Sequence, residues 1–155
     1  MSPVSDPIDW AAPRIAALAR GRVLDLGCGD GRFLPPGGVG VDLDLERLRA
    51  ARAKSPLVVR ADAHALPFGD EIFDTILANR MLNAAGRVDD VLREVARVLR
   101  RDGTLVVLTR ARQRPDEDRL DPENGERRLG MHFADVGAER EGDAAVFVAR
   151  KKRAR

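Results

Sequence analysis

The sequence predicts an α/β fold: a single domain with a doubly wound, mostly parallel sheet and a C-terminal antiparallel hairpin at one edge. Three observations predict it. Short β-branched apolar runs alternate with segments of helical periodicity between Val23 and Thr109, the pattern of a parallel sheet covered by helices. The first run, Val23–Leu26, breaks into a loop where every second residue is glycine (Gly27, Gly29, Gly31). The last two runs, 138–141 and 144–150, alternate around the Gly142-Asp143 turn, which is a hairpin signal.

In chain order, residues 1–7 read as a Pro-containing, mobile lead-in. Ile8, Ala11, Ala12, Ile15 and Leu18 then follow helical spacing to Arg20, with Pro13 placed in the first turn and Gly21 as the stop. Trp10 is read as the core anchor of this helix, with the mouth of a site as the alternative. After the glycine loop, Arg32-Phe33-Leu34 begin a helix that Pro35-Pro36-Gly37-Gly38 end almost at once. Val39–Val41 is the second strand, closed by Asp42, and Asp44 caps a helix from Leu45 to Lys54 whose arginines point outward. Leu57–Asp62 is the third strand and Ile72–Ala78 the fourth, with a short turn or helix at 63–67 between them.

The clearest helix is Arg87–Arg101, where Val88, Val91, Leu92, Val95, Val98 and Leu99 form one apolar stripe. Asp102-Gly103 closes it before a buried fifth strand, 104–109. Residues 110–125 are charged and contain proline, so they read as a loop or lid outside the core. A last helix is expected within 127–136, ahead of the hairpin.

Composition narrows the function. The 155 residues are 44% hydrophobic and 34% charged, the balance of an ordinary globular protein. A single cysteine, Cys28, excludes an internal disulfide and a cysteine zinc site, so no metal is expected and a reducing cytoplasm is the default compartment. The N-terminus has no basic or apolar leader region, and no apolar run reaches the ~18 residues of a membrane span. Net charge is +2. The positive charge is nearly all arginine interleaved with acids, which disfavours nucleic acid as the main partner.

The loop chemistry separates two ligand classes. A dinucleotide fingerprint, Gly-x-Gly-x-x-Gly, would place its last glycine at residue 32, where Arg32 stands. Asp25 precedes the glycines. An acid there repels a pyrophosphate and suits a ligand carrying an ammonium group. Both residues disfavour a nicotinamide-dependent oxidoreductase.

The stretch Asp25-Leu26-Gly27-Cys28-Gly29-Asp30-Gly31 resembles motif I of the class I S-adenosylmethionine (SAM) dependent methyltransferases. The run Asp62-Ala63-His64-Ala65-Leu66-Pro67-Phe68, followed by Phe73-Asp74, resembles the subgroup that includes quinone-biosynthesis C-methyltransferases. Glu94, Arg97 and Leu99 ahead of Asp102-Gly103 match that family's Glu-x-x-Arg-x-Leu-x-x-Gly-Gly pattern, with Asp102 replacing the first glycine. The resemblance runs from about Val23 to Leu108 and implies a small, minimal member with a Rossmann-like fold.

It also implies a cofactor, SAM, and residues to hold it. Asp25 with the loop residues Gly27, Cys28, Gly29 and Gly31 would wrap the methionine part. Asp42 would accept hydrogen bonds from both ribose hydroxyls, with Leu43 against the adenine face. Asp62 would accept from the adenine amine and the Ala63 N–H would donate to the ring. Asn79 would approach the ammonium and the methyl, with capping of the following turn as its alternative. Arg80, Met81, Leu82 and Asn83 would face the acceptor.

His64 stands beside adenine in this reading but is taken as solvent-exposed; His64 and His132 are the only histidines available as a base. No catalytic residue is assigned, because a sulfonium-activated methyl needs alignment more than acid–base help. No Asn-Pro-Pro-Tyr motif is present, and the chain has no tyrosine. The expected function is methyl transfer to a small-molecule acceptor, away from membranes. The alternatives are an RNA or protein acceptor, or a non-catalytic SAM-binding subunit that works with a partner. The basic tail at 151–155 reads as a solvated end.

Overall fold

A computed structural model describes residues 7–111, 114 and 116–151, with side chains from residue 9 onward. The lead-in before Pro7 and the tail after Lys151 lie outside the described residues. Among the described residues, twelve elements follow one another: α1 (Pro7–Leu18), β1 (Val23–Leu26), β2 (Val39–Asp42), α2 (Leu45–Ala51), β3 (Val58–Arg60), β4 (Phe73–Asn79), α3 (Met81–Ala84), α4 (Val88–Val98), β5 (Leu99–Arg110), α5 (Gly125–His132), β6 (Phe133–Glu141) and β7 (Ala144–Lys151).

The strands form one seven-stranded sheet in the order β3-β2-β1-β4-β5-β7-β6. The first five pair parallel, with Asp25 beside Gly40 on one side and Leu77 on the other. β7 runs antiparallel between β5 and β6. The predicted fold class and terminal hairpin are therefore present. The chain steps outward from β1 to β3 and then returns to β4, so strand order reverses beside β1. That reversal opens a crevice at the strands' carboxyl ends.

Side chains alternate between the two faces along β1, the 76–78 run of β4 and the 105–108 run of β5. Leu24, Leu26, Ile76, Ala78, Leu105 and Val107 join Val91, Leu92 and Val95 of α4 in the main core. Val23, Leu77, Val106 and Leu108 point the other way, against Ala11 and Ile15 of α1. A satellite core joins Cys28, Leu34, Leu48, Ala51 and Val58. Trp10 packs partly buried against the α1 cluster, as the anchor reading expected, and its ring carries the Arg14 guanidinium.

Several boundaries differ from expectation. Pro13 lies inside α1 and not in its first turn. It is exposed, so water can take the carbonyl that loses its helical donor. No helix follows the glycine loop: residues 32–33 form only a turn, because two prolines and two glycines arrive before a helical nucleus can close. α2 ends at Ala51 instead of Lys54. α4 ends at Val98, because Leu99 pairs beside Phe73 at the start of a longer β5.

The 110–125 segment is more than a peripheral loop. Leu120 is fully buried in the main core; its N–H donates to the Leu82 carbonyl at 3.0 Å and its carbonyl accepts from Thr109 Oγ1 at 3.1 Å. Asp121 and Asn124 then exchange backbone-to-side-chain bonds at 3.0 and 2.9 Å ahead of α5. Gly125 is required there because a Cβ would lie 2.3 Å from the Phe147 ring. Lys151 belongs to β7, not to a solvated tail, and its Nζ donates to the Leu99 carbonyl at 2.8 Å.

Candidate functional site

A cavity of about 490 Å³ opens at the carboxyl ends of β1 to β4. Its wall includes Gly27, Asp42, Leu43, Asp62, Ala63 and Asn79, so the sequence-predicted residues from four strand ends do converge. Asp25, Cys28, Gly29 and Gly31 stand behind that wall, and each has a different reason.

Asp25 is 2% exposed, and among the described residues its Oδ1 has no hydrogen-bond partner. Burial, and then the nearby Asp42 charge, push its carboxyl up from 3.8 to about 7. The register puts Asp25 beside Leu77, so Asn79, two residues further along β4, projects from the same face. Both amide atoms of Asn79 are likewise buried without a partner among the described residues. Such orphaned atoms cost about 1–3 kcal/mol each, and a ligand with an ammonium group satisfies a carboxylate and an amide oxygen together.

The glycine loop is positioned by backbone geometry. Gly27, Gly29 and Gly31 have φ of +70°, +55° and +87°, the left-handed region that glycine occupies without penalty. The N–H groups of Gly27 and Cys28 both donate to the Val41 carbonyl, at 2.8 and 2.9 Å. Gly31 packs on α2, where a Cβ would sit 3.2 Å from Ala51 Cα. The Cys28 side chain points into the satellite core, away from the cavity; burial, then Asp25 and Asp42, push its thiol up to about 12, which leaves it inert.

Asp42 has two tasks. Its Oδ2 accepts from the Gly29 N–H at 2.9 Å and its Oδ1 from the Asp44 N–H at 2.8 Å. Each carboxylate oxygen keeps a lone pair for a further donor. Asp44 caps α2, accepting from the Glu46 and Arg47 N–H groups. Leu43 is 58% exposed at the cavity wall, an apolar surface suited to a flat ring.

Asp62 lies past the end of β3, which stops at Arg60 rather than at Asp62. Its Oδ1 accepts from the His64 N–H at 2.9 Å and contacts His64 Nδ1 at 2.6 Å. His64 is thus not solvent-exposed in the expected sense: its side chain is 21% accessible and held at both ring nitrogens. The loop carrying these residues is strapped to α4. Glu94 accepts from the Leu66 N–H at 2.6 Å, while Arg97 donates to the Leu66 and Phe68 carbonyls at 3.0 and 2.7 Å. This explains physically why glutamate and arginine sit three residues apart in α4.

Of the four residues expected to face an acceptor, Arg80 and Met81 line the cavity. Leu82 is fully buried in the main core, and Asn83 Oδ1 accepts from the Arg110 N–H at 3.0 Å. α3 turns those two side chains away. Arg80 has φ +57°, an uncommon conformation for a residue with a Cβ and one that clusters at functional sites. Arg47, expected to point outward, also lines the cavity; only the approach of α2 to the glycine loop brings it there. His132 lies off the wall, with Nε2 3.0 Å from Asp89 Oδ1 at the α4–α5 joint, and Asp74 accepts from the Arg22 N–H at 2.8 Å at the opposite end of the sheet.

Fold and site define a class: an open, doubly wound α/β protein whose switch-point cleft suits a small ligand with a cationic end. The family model described as a methyltransferase domain matches residues 24–107, and the chain belongs to that family. A demethylmenaquinone methyltransferase from Roseiflexus castenholzii is 38% identical over 120 residues, which cover 68% of this chain and 50% of the relative. The chain spans about half the length of the curated relatives it matches.

Two solved structures show the same fold. The PH0226 protein from Pyrococcus horikoshii has a TM-score of 0.77 at 21% identity, covering 94% of this chain and 90% of that one. A chain from the complex of a methyltransferase with the Haloferax volcanii Trm112 methyltransferase activator has a TM-score of 0.75 at 17% identity, with 96% and 93% covered. Among the described residues, no helix is long and apolar enough to cross a membrane, and no cluster of His, Cys, Asp and Glu could hold a metal ion.

Proposed function

We propose that this chain is a single-domain, SAM-dependent methyltransferase that binds SAM in the cleft and passes its methyl group to a small-molecule acceptor by in-line displacement. The observation that carries this reading is Asp25: a buried carboxylate with an oxygen unpartnered among the described residues, on the same face as Asn79 at the switch point. A cationic ligand end supplies the donor that Asp25 Oδ1 and Asn79 Oδ1 both lack. When bound, SAM brings a methyl already activated by its sulfonium, so the protein contributes binding, alignment and exclusion of water.

Each part of the cleft has a task in that reading. Asp25 and Asn79 hold the ammonium. Asp42, already braced by Gly29 and Asp44, receives the ribose hydroxyls. Leu43 covers the adenine face, and Asp62 with the Ala63 N–H reads its edge. Met81 leans against Gly27, where a Cβ would lie 2.7 Å from Met81 Cγ, so the glycine lets the acceptor side close on the loop. Arg80 and Met81 flank the acceptor. No general base is assigned: His132 is off the cavity and His64 is occupied on both sides. The Roseiflexus relative, named for demethylmenaquinone, supports a small-molecule acceptor.

A second reading has one observation in its favour. Only turns follow the glycine loop, so cover over the cleft is thin, and a fold neighbour is a chain from a complex of a methyltransferase with an activator. In this reading the chain binds SAM but transfers only with a partner subunit.

Calorimetric titration with S-adenosylhomocysteine, with NADH as control, tests the cofactor. Micromolar binding of the first and none of the second is expected; binding of neither by the folded chain refutes the reading. Labelled SAM and fractionated lysate then separate acceptors. Label in small molecules supports the proposal, label in RNA or protein refutes the acceptor class, and label appearing only on addition of a protein fraction supports the second reading.

A further inference from the structure

His64 is held at both ring nitrogens on one side of the cavity. Nδ1 lies 2.6 Å from Asp62 Oδ1, and Nε2 lies 2.7 Å from the carbonyl oxygen of Gly86. Both partners are acceptors. A peptide carbonyl has no proton to give, and the Asp62 carboxyl is held below its ordinary range, first by the His64 backbone N–H and then by the His64 ring. A neutral imidazole has one N–H and one lone pair, so it can serve only one of the two. The other contact would then set a lone pair against an oxygen at hydrogen-bond distance. Only the imidazolium satisfies both.

The contacts join two separate walls of the cavity. Asp62, Ala63 and His64 follow β3, while Ala84 ends α3 and Ala85 is its C-cap, immediately before Gly86. Beyond Gly86 the chain is fixed again, because the Val88 N–H donates to the Asp118 carbonyl at 3.0 Å. The charged groups around the ring are Asp62 on its own loop and Arg87 on the α3–α4 turn. Asp118 on the β5–α5 segment stands against Gly86, where a Cβ would lie 3.0 Å from its Oδ2.

We propose that His64 is a positioning residue: its imidazolium bridges Asp62 to Gly86, draws the β3 and α3 walls together, and makes binding of an adenosine group depend on one proton. The identity of that ligand rests on the SAM reading above. The proton is well placed to persist, since the Gly86 carbonyl first, and Asp62 after it, raise the ring's pKa in spite of partial burial. The bridge is therefore complete below the raised pKa and loses one contact as pH rises through it. Asp25 has the opposite sign, because its ionisation favours a cationic ligand as pH rises. A nucleoside without the amino-acid end separates the two.

The test uses 5′-methylthioadenosine, which has no ammonium group. Imidazole NMR of the wild-type chain gives the His64 pKa with and without this ligand, and calorimetry gives its affinity from pH 5.5 to 9 for wild type and His64→Gln. Glutamine retains a donor but has no proton to lose in this range. The ring is expected to titrate above 6.5 and to shift higher when ligand binds. Wild-type affinity then falls on the alkaline side by about threefold for each half-unit of that shift, while the His64→Gln profile stays flat.

A ring titrating at or below 6.5 overturns the bridge without reference to any variant or ligand. A His64→Gln profile that falls like wild type, or a wild-type affinity that does not change with pH, overturns the coupling. Failure of both 5′-methylthioadenosine and S-adenosylhomocysteine to bind at any pH refutes the cofactor reading and the coupling with it. The ligand-free ring titration still decides the bridge.

Discussion

Asp25→Asn should make the protein more stable and its site worse. In the native state the Asp25 carboxyl titrates at about 7 in place of 3.8, because burial, and secondarily the Asp42 charge, penalise the ionised form. The difference is about three units, and at 1.36 kcal/mol per unit the penalty for carrying this charge approaches about 4 kcal/mol. The sign follows from linkage. The folded chain holds the proton between pH 4 and 7 while the unfolded chain has released it, so stability is highest below the unfolded pKa and is lost as pH rises through 7.

Asparagine has the same shape and no charge. Relative to wild type, Asp25→Asn should therefore gain stability progressively from pH 4 to pH 8, which for a domain of this length amounts to roughly 10 °C in Tm at the alkaline end. Thermal or denaturant unfolding of both proteins across that range measures the difference, and other titrating groups cancel between them. Binding should move the opposite way. At pH 8 the variant loses a charge-assisted contact to the ligand's ammonium, about 1.5–3 kcal/mol, so S-adenosylhomocysteine should bind at least about tenfold more weakly. Parallel stability profiles for the two proteins would show that Asp25 carries no burial penalty, and the argument that it waits for a cation would fail.

Two further substitutions probe the rest of the site and its frame. Asp42→Ala removes the acceptor for the Gly29 and Asp44 N–H groups as well as the proposed ribose contact; S-adenosylhomocysteine affinity should drop at least about tenfold, and unchanged affinity with an intact circular dichroism spectrum takes Asp42 out of the site. Leu120→Ala tests whether the charged segment before α5 is anchored. A fully buried leucine should cost about 2–5 kcal/mol in urea unfolding, and a loss under about 1 kcal/mol would mean the segment is peripheral after all.

The sequence alone determined the sheet, its strand count on the parallel side, the terminal hairpin and the strand ends that carry the cleft. It could do so because period-2 and period-3.6 patterns are local, and because a glycine loop behind an acid has few structural uses. Local pattern also misled where two signals competed. The apolar stripe of α4 continues to Leu99, but pairing beside Phe73 captures that residue for β5. In the 110–125 segment the surrounding charge hid Leu120, and nothing short of the packed core shows that one leucine fills it.

Only the tertiary structure decided which polar atoms stand alone and which are already engaged. Asp25 and Asn79 share one face because β1 and β4 are neighbours at the reversal of strand order, a fact no spacing in the chain contains. His64 and Gly86 are 22 residues apart, and Glu94 and Arg97 reach across 28 to 31 residues to hold the loop behind Asp62. Periodicity reports which face a side chain takes. Burial, charge state and hydrogen-bond partners depend on what the folded chain brings to that face from elsewhere.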